Sequence, residues 1–169
     1  SLLNSNYEKI YILVRSDNDE QARKELFDNL DFYFKNIDKG KIIPVAGDLS
    51  KDNLGLSAEM YNKIIDDVDA VLHSAANVSH VGNIEDFERD NVRATKNIVT
   101  FANKKEGVKL YHISTISVSG DNIPGKKSFL FTENDFNISQ SFNNSYEKTK
   151  YESETIIRGF FSSGGKGAI

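Results

Sequence analysis

Short runs of β-branched and aromatic residues alternate along the chain with longer segments in which apolar side chains recur at helical spacing. The runs predict four strands, at Lys9–Arg15, Lys41–Gly47, Asp69–Ala75 and Val108–Ser114. The periodic segments predict helices around Ala22–Leu30, Ala58–Ile65, Ile84–Lys104 and Ser145–Phe161. Apolar strands that alternate with amphipathic helices are typical of a doubly wound α/β fold with a parallel sheet.

Two features of this pattern suggest a partial domain. Open α/β folds that bind dinucleotides have a glycine-rich turn after their first strand, and no such turn follows Lys9–Arg15. The last residues, GGKGAI, resemble the start of another strand. We therefore expect residues 1–169 to be an internal piece of a larger protein, or the ordered part of one. A long loop is predicted between Ser119 and Asn144, and such loops are often functional.

Composition narrows the classes of function. The 169 residues carry 25 acidic and 21 basic side chains, a net charge of −4, which argues against a nucleic-acid partner. No run of 18 apolar residues is present, so no membrane span is predicted. The absence of cysteine excludes disulfides, thiolate metal sites and a cysteine nucleophile, and it fits a cytoplasmic protein. No metal site is predicted.

Tyr146 and Lys150 form the pattern Tyr-x-x-x-Lys on a predicted helix. The spacing places both side chains on one face, where an ammonium can lower the pKa of a phenol and orient it as a proton donor. The alternative is a lysine at the start of the helix that extends its ammonium into solvent.

A helical wheel predicts that this pair faces inward. Tyr146 and Lys150 fall on the same stripe as Ser153, Ile157 and Phe160. On the same wheel we expect three charged residues to point away from that stripe: Glu147, Glu154 and Arg158. An inward lysine is costly unless it is paired or used.

A run of hydroxyl residues, Ser114–Ser119, follows the fourth strand. A hydroxyl at the carboxyl end of a parallel strand lies where such sheets bind ligands, and it can donate to a developing oxyanion. The alternative is that these side chains bond only to the backbone of the turn, and we prefer it for Ser117 and Ser119.

Arginines occur at the end of the first strand and in the next helix, at Arg15 and Arg23. An acidic residue near this strand end binds the ribose of NAD, whereas arginine accommodates the 2′-phosphate of NADP. The sequence therefore favours NADP(H), although two solvated arginines would give the same pattern.

Taken together, the motifs of this chain resemble those of extended short-chain dehydrogenases/reductases, and more narrowly the thioester reductase domains of nonribosomal peptide synthetases, relatives of carboxylic acid and aminoadipate reductases. The similarity spans Tyr7 to Arg158. It rests on VRS (14–16), GDLS (47–50), VLHSAANVSHVG (71–82), FERDNVRATKNIV (87–99), HISTISVSG (112–120) and YEKTK (146–150).

This resemblance implies a Rossmann-like NADP-binding domain whose first strand, glycine-rich turn and C-terminal substrate region are absent from the chain. It implies a catalytic trio of Thr115, Tyr146 and Lys150. It also implies cofactor contacts from Arg15, Arg23, Asp48, Leu49, Ala75, Ala76, Asn77 and Lys150. Asn91 would brace the site from a neighbouring helix, and we expect His73 and His80 to be structural.

The implied activity is reduction, with NADPH, of an acyl or peptidyl thioester to an aldehyde, in some relatives onward to an alcohol. The implied partner is a phosphopantetheinylated carrier domain that bears the thioester. One alternative is an NAD-dependent nucleotide-sugar epimerase or dehydratase, which shares the fold and the catalytic trio. Another is a non-catalytic Rossmann-like domain that makes protein contacts.

Overall fold

The computed structural model describes residues 6–35, 37–79, 81–121, 123, 125 and 128–169. The chain divides into two compact units, residues 1–64 and 65–169, and strands in each unit pair in parallel. Parallel strands with intervening helices confirm the predicted α/β class. No helix in the described part of the chain combines the length and apolar character needed to cross a membrane.

The first unit is built on two parallel strands, β1 (Ile10–Val14) and β2 (Ile42–Ala46), in register from Ile10 opposite Ile42 to Val14 opposite Ala46. Helix α1 (Asp19–Tyr33) connects them and packs against β2. The Asn18 side chain caps α1 by accepting from the Gln21 N–H, and Ala22 is the fully buried residue of its inner face. Helix α2 (Ala58–Asp67) follows β2.

The second unit contains three parallel strands in the order β3 (Ala70–His73), β4 (Lys109–His112) and β5 (Lys166–Ala168). Strand β5 confirms the strand expected in GGKGAI. Helix α5 (Ser145–Ser162) precedes β5, and Leu110 of β4 and Ile157 of α5 are completely buried. The described residues of the loop predicted between Ser119 and Asn144 have irregular backbone and include an antiparallel bridge between Asp121 and Ser141.

A continuous helical run joins β3 to β4, but it is not a regular α-helix throughout. It comprises α3 (Ile84–Phe87), a π-helical segment (Glu88–Arg93) and α4 (Ala94–Ala102). The sequence predicts one α-helix here, because a single π-helical turn barely changes the spacing of apolar residues along the chain. π-helical turns are rare and often occur at functional sites, and this one carries the buried Asn91.

Candidate functional site

The carboxyl end of β4 continues into the hydroxyl-rich turn. Thr115 caps a short 3₁₀ helix (Ile116–Ser119), where its hydroxyl accepts from the Ser117 N–H at 3.3 Å. The Thr115 hydroxyl also lies 3.3 Å from the Ser117 hydroxyl. The turn-stabilising role that the sequence offered as an alternative is therefore present, and the half-buried Thr115 side chain carries it.

Glycine is required where this turn ends. Gly120 has φ 59° and ψ −157°, a region that side chains other than hydrogen disfavour. A Cβ at this position would lie 2.4 Å from the Ser141 carbonyl oxygen. The close approach of the two backbones is what allows the bridge between Asp121 and Ser141, which ties the long loop to the turn.

Helix α5, which carries Tyr146 and Lys150, packs against this turn. Asn144 caps the helix by accepting from the Glu147 N–H at 2.9 Å, so the half-buried Tyr146 falls in its first turn. The helix packs against both the 3₁₀ turn and the π-helical segment. The structure therefore brings the elements that carry Thr115, Tyr146 and Lys150 into contact.

Lys150 is buried, as the helical wheel predicts. Its residue is 4% exposed, and its Nζ donates a 3.0 Å hydrogen bond to the Ile113 carbonyl oxygen at the end of β4. Burial lowers the pKa of the Lys150 ammonium below its ordinary value, and the charge of Glu154 opposes that shift in part. The alternative of a lysine extended into solvent is wrong.

Two buried imidazoles lie near Lys150. The rings of His73 and His112, at the ends of β3 and β4, are 5.1 Å apart, and each residue is 2% exposed. Nε2 of His73 lies 3.0 Å from the Thr95 hydroxyl, while the other three ring nitrogens of the pair have no hydrogen-bond partner among the described residues. Burial first, and the Lys150 charge second, lower the pKa of His73 to about 4 and of His112 to about 3. Both rings are therefore neutral at pH 7, in keeping with the structural role predicted for His73; His80 lies outside the described residues.

Asn91 links the loop after β3 to α5. Its Oδ1 accepts from the Asn77 N–H at 2.7 Å, and its Nδ2 donates to the Thr149 hydroxyl at 3.0 Å and to the Asn77 carbonyl at 3.3 Å. Ala75 is exposed and Ala76 half-buried in the same loop. The side chain of Asn91 thus links the backbone of Asn77 to Thr149, the residue before Lys150.

Sequence reasoning missed Glu154, which it placed on the outer face of α5. The residue is 3% exposed, its Oε2 accepts from the Ser114 hydroxyl, and its Oε1 accepts from Arg158 at 2.8 Å. A residue four positions after Lys150 is rotated only about 40° from it on a helix, so the wheel itself contained the signal. Its charge caused the error, because carboxylates are rarely buried unless they are paired.

In the first unit, Arg15 and Asp48 meet where β1 and β2 end. A guanidinium nitrogen of Arg15 is 3.4 Å from Asp48 Oδ1, which also accepts from the Ser50 N–H and hydroxyl. Burial alone would raise the pKa of Asp48, but the bonds from Ser50 and the charges of Arg15 and Lys51 lower it overall.

Arg23 does not join this pair in the structure. Its guanidinium lies over the Phe27 ring, 4.7 Å from the ring centroid, on the surface of α1. Leu49 is half-buried beside Asp48.

A shallow open groove of about 510 Å³ lies at the amino end of α5. Its walls include Ile84 of α3, Phe142, Asn144 and Lys148. Lining residues lie on both sides of Tyr146 in the sequence, although Tyr146 itself does not line the groove.

The chain is similar to known proteins in both sequence and fold. The NAD-binding family described as "Male sterility protein" matches residues 1–169. The chain is 28% identical over 165 residues to a carboxylic acid reductase of Mycobacterium tuberculosis, covering 89% of this chain and 14% of that protein.

Solved structures of reductase domains are also similar. The terminal R domain from the myxalamid PKS-NRPS biosynthetic pathway matches with a TM-score of 0.80 and 27% identity, covering 92% of this chain and 40% of that one. A thiolation-reductase di-domain from an archaeal non-ribosomal peptide synthetase matches with a TM-score of 0.79 and 25% identity, covering 98% and 45%. The chain thus spans less than half of the reductase chains that it matches.

The family match over the whole chain and the fold shared with reductase domains define the class: the chain belongs to the male sterility protein family of NAD-binding domains.

Proposed function

We propose that the chain is part of an NADPH-dependent reductase that converts a carrier-bound acyl or peptidyl thioester to an aldehyde. The observation that carries the proposal is Lys150, which is buried one turn after Tyr146 and bonded to the Ile113 carbonyl, two residues before Thr115. A buried ammonium is costly unless it is used, and here it lies on the helix that packs against the Thr115 turn. The similarity to reductase domains supports the same chemistry.

Each member of the trio has a distinct role in the proposal. The cofactor, when bound, supplies a hydride to the thioester carbonyl carbon. Thr115 and Tyr146 donate hydrogen bonds to the oxyanion that develops, and the Tyr146 phenol passes its proton to that oxygen. Lys150 binds the nicotinamide ribose and stabilises the phenolate through its positive charge.

The product follows from the atom balance. Addition of hydride and a proton turns the thioester into a hemithioacetal, whose collapse breaks the carbon–sulfur bond. The thiol leaves with the hydroxyl proton, and an aldehyde remains. Onward reduction to an alcohol would repeat the same two transfers with a second reduced cofactor.

Each unit, taken by itself, carries residues that the proposal assigns to the cofactor. In the first unit, Arg15 at the end of β1 provides the cation that a 2′-phosphate requires, with Arg23 as a second cation. Asp48 and Leu49, at the end of β2, would flank the adenine. In the second unit, the loop after β3 is already fixed at Asn77 by Asn91, which suits a segment that lies along the cofactor. That loop contributes Ala75, Ala76 and Asn77.

The proposed partner is a phosphopantetheinylated carrier domain, and residues 1–169 would be part of the NADP-binding domain that receives its thioester. A matched relative combines thiolation and reductase domains in one chain, which supports this assignment.

The test is Tyr146→Phe in the full-length protein, with Tyr151→Phe as the matched control. Tyr151 lies on the same helix, and its ring stacks on Phe136 with centroids 4.6 Å apart, a contact that phenylalanine preserves. Thioester reduction should fall roughly 100-fold to 10,000-fold in the Tyr146 variant, the usual value of a general acid, while NADPH binding stays near normal. The Tyr151 variant should keep its activity.

Turnover that survives Tyr146→Phe would contradict the role of the phenol. A tightly bound NAD in the purified protein would instead favour the sugar epimerase or dehydratase. Failure to bind any nicotinamide nucleotide would favour the non-catalytic domain.

A further inference from the structure

Two consecutive residues at the end of β4 are bonded to α5, one helical turn apart. The Ile113 carbonyl accepts from Lys150 Nζ at 3.0 Å, and the next residue, Ser114, donates its hydroxyl to Glu154 Oε2. Thr115 follows immediately. Lys150 therefore holds the backbone that leads to Thr115, and Glu154 holds the side chain of the residue before it.

The two oxygens of the Glu154 carboxylate bind different partners. Its side chain is 4% exposed, and Nε and Nη2 of Arg158 both lie 2.8 Å from Oε1, which leaves Oε2 to Ser114. Arg158 in turn covers the Phe136 ring at 4.3 Å. A buried carboxylate whose two oxygens are both hydrogen-bonded is held in place, because rotation would break bonds to a buried charge.

Glu154 also contributes the negative charge that acts on Lys150. Tyr146 lies one turn before Lys150 on the same helix. The two imidazoles on which the ammonium acts, His73 on β3 and His112 on β4, are neutral at pH 7. Among the described residues, Glu154 is the source of the stabilising charge.

We propose that Glu154 is a positioning residue of the site, which anchors Ser114, the residue before Thr115, to α5 and holds a carboxylate charge one helical turn beyond Lys150. This inference rests on the proposed function for its catalytic consequence. The carboxylate touches neither substrate nor cofactor; it acts through Ser114 and Lys150.

The experiment compares Glu154→Gln with Glu152→Gln in the full-length protein. Glu152 lies on the same helix and pairs at 3.8 Å with Lys148 at the surface, so the same chemical change is made outside the buried cluster. The titration of Lys150 is followed by NMR with lysine labelled at its ε carbon, and its signal is assigned with Lys150→Arg. Thioester reduction is measured over the same pH range.

In Glu154→Gln the titration midpoint of Lys150 should fall by about one pH unit, the lower end of the effect of a nearby opposite charge. The alkaline limb of the rate profile should shift to lower pH by the same amount. The value of kcat/KM should fall at least roughly tenfold, as expected for the loss of one charge-assisted hydrogen bond. Glu152→Gln should change neither. A folded Glu154→Gln protein whose midpoint and rate profile match those of Glu152→Gln would overturn the proposal.

If Glu154→Gln does not fold, Glu154→Asp provides a second test. It keeps the charge but withdraws the carboxylate from Ser114, so kcat should fall while the Lys150 midpoint stays close to that of the wild type; an unchanged kcat would overturn the positioning role. If the wild-type protein reduces no thioester with NADPH, the proposed function fails, and the Lys150 titration alone then decides the action of Glu154.

Discussion

Replacement of Asn91 by alanine should destabilise the second unit through the backbone of Asn77. The side chain is 1% exposed and makes three hydrogen bonds, so its removal leaves the Asn77 N–H without an acceptor. An unpaired donor that is largely shielded from water costs about 1–3 kcal/mol. Thr149 loses less, since its hydroxyl keeps its own bond to the Ser145 carbonyl at 2.7 Å. With the void that remains, we expect a loss of about 2–3 kcal/mol.

The measurement is urea unfolding followed by far-UV circular dichroism, with Asn103→Ala as the control. Asn103 is an exposed residue at the end of α4, and its replacement should change stability by less than about 0.5 kcal/mol. The midpoint of Asn91→Ala should fall at an unchanged slope, and NADPH affinity should fall with it if Asn77 lies along the cofactor. Equal midpoints for the two variants would refute the assignment of Asn91 as the residue that fixes this loop.

Two further outcomes are expected. Folding lowers the pKa values of His73 and His112, so below pH 6.5 the unfolded chain binds protons that the folded protein does not. The free energy of unfolding should therefore fall as the pH is lowered from 6.5 toward about 4, by up to about 1.4 kcal/mol per pH unit for each ring. Urea unfolding at pH 7.5 and pH 5 measures this loss; His112→Asn should reduce it, and an unchanged pH dependence in that variant would contradict burial of the neutral ring. In the first unit, Arg15→Ser should raise the KM for NADPH roughly tenfold to a hundredfold with little effect on that for NADH, the value of bonds to a charged phosphate. A steady-state comparison of the two cofactors tests this, and equal changes would show that Arg15 does not recognise the 2′-phosphate.

The order of helices and strands could be predicted because it depends on local spacing. The apolar run that became β1 and the periodic segment that became α5 differ in side-chain period, and the strand expected after α5 is present as β5. The inward orientation of Lys150 was also predictable, since residues at intervals of three and four share a face of any helix. The π-helical turn around Asn91 was not, because it leaves the apolar pattern nearly intact.

The order and spacing of residues were enough to predict the α/β class, the family to which the chain belongs, and the helix face on which Tyr146 and Lys150 lie. The burial of Glu154 on that helix, and the partners that Lys150 and Glu154 bind, became visible only in the folded protein. Ser114 and Glu154 are forty residues apart in the chain, and no local pattern reports that β4 and α5 bring them within hydrogen-bond distance. The physical reason is that the burial of a charged group depends on the partners that meet it in space, whereas periodicity records only the backbone that carries it.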